Sequence, residues 1–229
     1  MLPFLAALPL LAVSWLAVAS PDPVIRLPLR VHVVRSAEPS MDGAEVVTQA
    51  VVRERLREIN RMFAPAGISW SLESYLVESP PSDEALRQAL ASGRRPAALR
   101  SIVSAPSRLS PAGFDLYVVR TLSAVQIGGA YLCSVDGEVG HGVAFIGAED
   151  GRGRPLPVRK WAHELGHSLG LPHAPCEAAY TGQLMTSGTC AIAEPGREAL
   201  SDAEIARMRD QASTGSPSPC GHNREELGD

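Results

Sequence analysis

The segment His163-Glu164-Leu165-Gly166-His167-Ser168-Leu169-Gly170-Leu171-Pro172-His173 gathers three imidazoles and a carboxylate into eleven residues. His163 and His167 are four apart, so a helix would set both rings on one face, about one turn from each other. Two ring nitrogens so placed can reach one zinc ion at roughly 2.1 Å. Glu164 follows the first imidazole and lies beside that face, where it can take a proton from water without becoming a ligand. Gly170 explains how a third nitrogen arrives. Glycine adopts positive φ cheaply, so it can end the helix and turn the chain back. Pro172 then keeps the helix from restarting, and His173 follows. Three histidines leave one position of a tetrahedral zinc open, which distinguishes a catalytic site from a structural one. A bare His-Glu-x-x-His is weak, but Gly170 and His173 at these offsets make the pattern specific.

The elements that must position this segment follow from periodicity. Val24 to Val34 alternates loosely and is rich in β-branched residues, which predicts a strand, with Pro28 implying an edge position or a bulge. Between Asp42 and Ala64 the pattern turns helical: Val52, Leu56, Ile59 and Phe63 form an apolar stripe flanked by Arg53, Glu54, Arg57 and Glu58. Pro65 and Gly67 stop that helix. Ile68 to Val77 alternates again, with Ile68, Trp70, Leu72 and Tyr75 as core candidates. An insert from Pro80 predicts one or two short helices. Phe114–Val119, Ile127–Leu132 and Val143–Ile146 read as short strands, the last two joined by a Gly-rich loop. A helix over 157–169 holds the histidines. Ser201-Asp202-Ala203-Glu204 is a capping box that starts a last helix over 202–211. A strand–helix–strand opening implies a mixed, mostly parallel sheet of five strands in an α+β fold.

Composition narrows the class. Hydrophobic residues make up 45% and charged residues 20% of the 229, as in a globular domain with a real core. The net charge of −4 leaves no basic field for nucleic acid. Residues 1–19 carry no charged side chain, Ala17-Val18-Ala19 fits a small-x-small cleavage site, and Ser20-Pro21-Asp22-Pro23 breaks any helix. This predicts a signal peptide over 1–19 and a secreted protein, extracellular or periplasmic, with no stable membrane association after cleavage; an uncleaved anchor is the alternative. The expected layout is then a catalytic domain over 20–211, split at 170/171, and a flexible tail over 212–229. Cys133, Cys176, Cys190 and Cys220 are an even set that suits two disulfides. Of the three possible pairings, Cys176 with Cys190 and Cys133 with Cys220 is the simplest, free or metal-bound thiols being the alternative.

The pattern at 163–173 resembles the metzincin clan of zinc endopeptidases, in which a methionine-containing turn lies beneath the metal. Gln183-Leu184-Met185-Thr186 stands twelve residues past His173 at Met185 and matches that turn. His-Glu-Leu-Gly-His-Ser-Leu-Gly-Leu looks most like matrixins, while Ile127–Leu132 and the nearby cysteines look more like reprolysins or pappalysins. Ser187 stands where astacins and serralysins place a tyrosine. The resemblance implies a zincin fold with an active-site helix, and a small C-terminal subdomain holding the Met-turn and a final helix. It implies one catalytic Zn2+ on His163, His167 and His173, and metal-activated water with Glu164 as general base. It also implies a peptide or protein substrate paired along an edge strand, for which Gly129, Ala130, Tyr131 and Leu132 are the candidates, with Thr186–Thr189 beside the substrate side chain. A monomer is expected.

Other groups are weaker. His32, in the first strand, reads as an ordinary half-buried residue, and His141 and His222 as loop and tail residues. Asp136, Glu138, Glu149 and Asp150 are acidic loop residues that would suit Ca2+, without the spacing of a known calcium loop. Two other functions fit the zinc pattern: a secreted metzincin-like binding protein or toxin-like factor without proteolysis, and a zinc hydrolase of cell-wall peptide amides. Glu164 speaks against the first, since a pure binding module has no use for it.

Overall fold

The first strand, β1 (Ile25–Val34), changes character along its length. Arg26 and Pro28 are exposed while Leu27 and Leu29 are buried; from Val31 to Val34 every side chain is buried. The reason lies in its neighbours. The computed structural model describes residues 23–91, 99, 102–103, 113–122, 129–132, 142–175, 183–186 and 199–218. Within these, β2 (Ile68–Glu78) pairs parallel with all of β1, but β3 (Phe114–Val119) joins the other side only from Leu29 onward. Pro28, which has no N–H to give, thus lies where β1 has a single neighbour. β1 as a whole is therefore interior, not the edge strand that Pro28 suggested. A bulge does occur nearby, but on the partner strand: the register shifts between Leu29 and Arg30, where Leu29 pairs with Leu72 and Arg30 with Ser74. The skipped residue, Glu73, flips the phase of β2. This is why Ile68, Trp70 and Leu72 share the core-facing side with Tyr75 and not with Ser74. Ile68 and Trp70 are buried; Leu72 and Tyr75 are half-buried against the core.

β5 (Val143–Gly147) adds parallel to β3, and β4 (Gly129–Leu132) closes the sheet antiparallel to β5. The order β2-β1-β3-β5-β4 is a mixed, mostly parallel five-stranded sheet, as expected. Residues 127–128 of the fourth predicted strand lie outside the described residues.

Both faces of the sheet centre are covered, so β3 and β5 read as continuous apolar runs. On one face Leu29, Val31, Leu116, Val118, Ala144 and Ile146 meet the helices α1 (Gln49–Phe63) and α3 (Val158–Ser168). On the other, Val34, Tyr117, Val119 and Phe145 meet Leu86, Leu99 and Ile102 of the insert, which includes α2 (Asp83–Ala91). α1 buries Val52, Leu56, Ile59 and Phe63, the stripe read from the sequence. It starts later than expected. Asp42 caps a short 3-10 turn, Gly43–Glu45, and Thr48 caps the helix proper. Gly43 explains the turn: a Cβ there would lie 3.0 Å from the Val34 carbonyl oxygen, so the chain must hug the sheet before the helix can depart. The last helix, α4 (Asp202–Ser213), begins at the predicted capping box, with Ser201 and Glu204 each satisfying the other's backbone N–H. Past its end the Ser218 N–H donates to the Ser168 carbonyl at 2.8 Å.

The insert face also buries charge. His32 is fully buried, not half-buried as expected. Its Nε2 lies 2.8 Å from Asp115 Oδ1, and its Nδ1 lies 3.3 Å from Glu78 Oε2, an ion-pair separation. Arg30 donates to the other Asp115 oxygen at 2.7 Å, and Tyr117 stacks on the imidazole at 4.4 Å between ring centres. Burial pulls the imidazole down, but hydrogen bonding to Asp115 and Glu78 and their charges outweigh it and hold His32 above its ordinary 6.5. The physical sense is charge balance: protonated His32 and Arg30 match two carboxylates.

A group raised in the folded state contributes stability below its unfolded value and loses that contribution as pH climbs through the folded one. The melting midpoint is therefore expected to fall as pH rises from about 6.5. His32→Gln should be destabilised by roughly 3–5 kcal/mol at pH 6, because it removes the positive charge lying between two buried carboxylates, and should lack that slope. Thermal melts from pH 5 to 9 on both proteins test this; parallel curves would refute it.

Candidate metal centre

α3 is buried from Trp161 through Leu169, so the sheet, β4 and α1 fix its position and roll. Trp161, Ala162 and Leu165 enter the main core, and Arg55 of α1 lies over the Trp161 ring at 4.8 Å. The helix ends as the sequence demands. Gly170 has φ of 77°, its N–H reaches the His167 carbonyl at 2.9 Å, and the Leu171 N–H reaches back to the Gly166 carbonyl at 3.1 Å. This is a Schellman end, and it reverses the chain toward the helix face.

The reversal does two things. It brings His173 to the face that carries His163 and His167, and it points the Leu171 carbonyl at His167 Nδ1, 2.7 Å away. His163 Nδ1 meets the Leu184 carbonyl at 3.0 Å. A carbonyl only accepts, so each ring must carry its proton on Nδ1 and present Nε2 as a lone pair. Burial first, and then the charge of His167, hold His163 well below the ordinary 6.5, so it is neutral near pH 7. One ring nitrogen from each of the three histidines lies within 4.8 Å of the others. Nε2 of His167 and Nε2 of His173 are 3.2 Å apart, close to the about 3.4 Å separating two nitrogen ligands of a tetrahedral zinc. A neutral His163, a converging set of ring nitrogens and backbone acceptors behind two of the rings fit zinc. Among the described residues this is the one group of three or more His, Cys, Asp or Glu able to hold a metal. Glu164, beside His163 on the helix, is 5% exposed.

Met185 is fully buried in a turn over 183–186, closed by the Thr186 N–H to the Gln183 carbonyl at 3.2 Å. The Met185 carbonyl accepts the Ala174 N–H at 2.9 Å, which ties the turn to the residue after His173. Two participants escaped the sequence reading. A Cβ on Gly166 would lie 2.6 Å from Met185 Sδ, so glycine between the two helical histidines lets the turn press against α3. Arg159, one turn before His163, is buried and its Nη2 donates to carbonyls of that same turn. Its neighbour Lys160, with Arg152 and Arg154 just before it, makes Arg159 read as one more surface cation, so the sequence carried no signal for it.

The other candidates disperse. Among the described residues β4 is an edge strand. Thr186 is buried, and residues 187–189 lie outside the described residues, as do Cys133, Cys176, Cys190, Cys220, Asp136, Glu138, His141, His222 and the 1–19 segment. Glu149 receives Arg120 Nε at 3.0 Å. Asp150 accepts backbone N–H groups of Arg154 and Arg152 and the Arg154 side chain, which push it down to about 2. Among the described residues no helix is long and apolar enough to cross a membrane.

The sequence matches no known family model and no curated protein. Among solved structures, it is similar to metalloproteinase-II from Bacteroides fragilis, with 11% identity and a TM-score of 0.47 over 84% of this chain. The chain spans 55% of that protein. It is also similar to archaemetzincin from Methanopyrus kandleri, with 13% identity and a TM-score of 0.49 over 82% of this chain and 96% of the other. Neither is named as a matrixin, reprolysin or pappalysin.

Alanine in a helix interior usually stabilises relative to glycine. At Gly166 the sign should reverse: Gly166→Ala is expected to lose about 1–3 kcal/mol by overpacking against Met185. Met185→Ala in the same chain should recover part of that loss. Urea unfolding of the two single variants and the double variant measures the coupling, and additive losses would contradict the contact.

Proposed function

We propose that this protein is a secreted zinc-dependent endopeptidase of metzincin type. The observation that carries the reading is the convergence of three imidazole nitrogens on one side of α3, with buried Glu164 next to His163 in that helix. His163, His167 and His173 would hold the ion. When bound, zinc supplies Lewis acidity, which acidifies water and polarises a carbonyl.

The chain's own residues do the rest. The Leu184 and Leu171 carbonyls fix two rings in the ligating tautomer. Glu164 takes a proton from the attacking water and returns it to the departing amine. Its burial keeps bulk water from competing for that proton. Among the described residues β4 ends the sheet, and an extended peptide would pair along its outer side, over residues 129–132. That pairing favours cleavage within a chain over removal of terminal residues. The nearer likeness to matrixins, reprolysins or pappalysins rests on sequence motifs, as does export on the apolar 1–19 segment.

Glu164→Ala is expected to keep zinc content near wild type and to lower peptide cleavage by about a hundredfold to ten-thousandfold. His163→Ala, His167→Ala and His173→Ala should instead lose the metal. Metal analysis combined with a quenched-peptide library, with and without chelator, checks both. Chelator-insensitive cleavage would overturn the reading. Zinc binding with no cleavage of any peptide would leave a binding protein, and cleavage of wall fragments alone would make it a wall-peptide hydrolase. Proline at Ala130 or Leu132 should raise KM more than it weakens zinc binding; equal damage to both would remove β4 from the substrate site.

A further inference from the structure

Arg159 has no part in the chemistry above, yet it is an arginine only 5% exposed, on the helix that holds the histidines. It sits four residues before His163, so it lies on the same side of α3, one turn back. Its Nη2 lies 2.9 Å from the Gln183 carbonyl, 3.2 Å from the Leu184 carbonyl and 3.3 Å from the Thr186 carbonyl. Three carbonyl oxygens of one turn thus converge on a single nitrogen. Clustered carbonyls repel one another unless a cation lies among them, and a guanidinium supplies both the charge and the fixed donors.

One of those carbonyls has a second partner. Leu184 also accepts the Nδ1–H of His163 at 3.0 Å. The same turn supplies Met185, packed on Gly166, and its carbonyl fastens Ala174 beside His173. Arg159 therefore grips a turn that touches the helix, the first histidine and the residue after the third.

We propose that Arg159 is a positioning residue for the metal: by pinning the 183–186 turn it fixes the Leu184 carbonyl behind His163, and so the direction of the His163 lone pair. This rests on the metal reading of the three histidines. Arg159→Met removes charge and donors at similar length, while Arg159→Lys keeps the charge and three donors. Partners of this kind, behind a ligand, are worth about 10- to 100-fold in metal affinity.

The test is Zn2+ and Co2+ binding to the full chain by competition with a chelating dye, together with the Co2+ visible spectrum and the melting midpoint of the metal-free protein. Arg159→Met should bind about 10- to 100-fold more weakly with an altered Co2+ spectrum, and Arg159→Lys should fall between it and wild type. Wild-type affinity and spectrum in Arg159→Met, with only a lower midpoint, would overturn the proposal and leave Arg159 a packing residue. If Arg159→Met does not fold, Arg159→Lys decides: weakened binding at an unchanged metal-free midpoint supports the proposal, and wild-type binding overturns it. Failure of the wild-type chain to bind either metal would overturn the metal reading itself, and this proposal with it.

Discussion

Two backbone carbonyls, Leu171 and Leu184, determine what the histidines can do. Each accepts the Nδ1–H of one imidazole and so turns the other nitrogen of that ring toward a shared point. Without those acceptors a buried imidazole would be free to flip, change tautomer or seek another partner. Burial complements this, because desolvation keeps His163 neutral and its lone pair available. The site is thus prepared by the main chain before any ion arrives, and the side chains inherit their directions from it.

Holding those carbonyls in place is the task of the surrounding fold. Leu171 is delivered by the reversal at Gly170, where a positive φ lets the chain fold back on its own helix. Leu184 is delivered by a turn from a segment distant in sequence, held by Arg159 from below and pressed onto Gly166 by Met185. α3 itself cannot roll, since its core side interlocks with β4, β5 and α1. Rigid packing of a helix among apolar neighbours is what converts a local spacing of histidines into a defined cluster of ring nitrogens.

The opposite face of the sheet is built differently. There His32, Asp115, Glu78 and Arg30 form a buried charged group beneath the insert, and Tyr117 and Phe145 stack in series beside it. Such a group stabilises only when complete, so it favours one seating of the strands over alternatives in which a charge would be left alone. It makes the sheet centre sensitive to pH at a place remote from the histidine cluster.

Much of this was legible in the residues. The stripe Val52, Leu56, Ile59 and Phe63, the capping box at Ser201 and the compact strands were readable because each depends on neighbours within a few residues, where helical and strand periodicity operate. The histidine spacing and Gly170 belong to the same class: a helix and its end dictate them locally. The bulge at Glu73, the late start of α1 and the depth of His32 were not readable. They depend on which strand lies alongside, and the register of β1 against β2 and β3 is settled across tens of residues. Arg159 and Gly166 likewise acquire meaning only when the 183–186 turn is brought against α3. The sequence determined which groups could meet a metal; the tertiary structure decided what stands behind them, because a carbonyl carries no signature in the chain until folding places it against a ring.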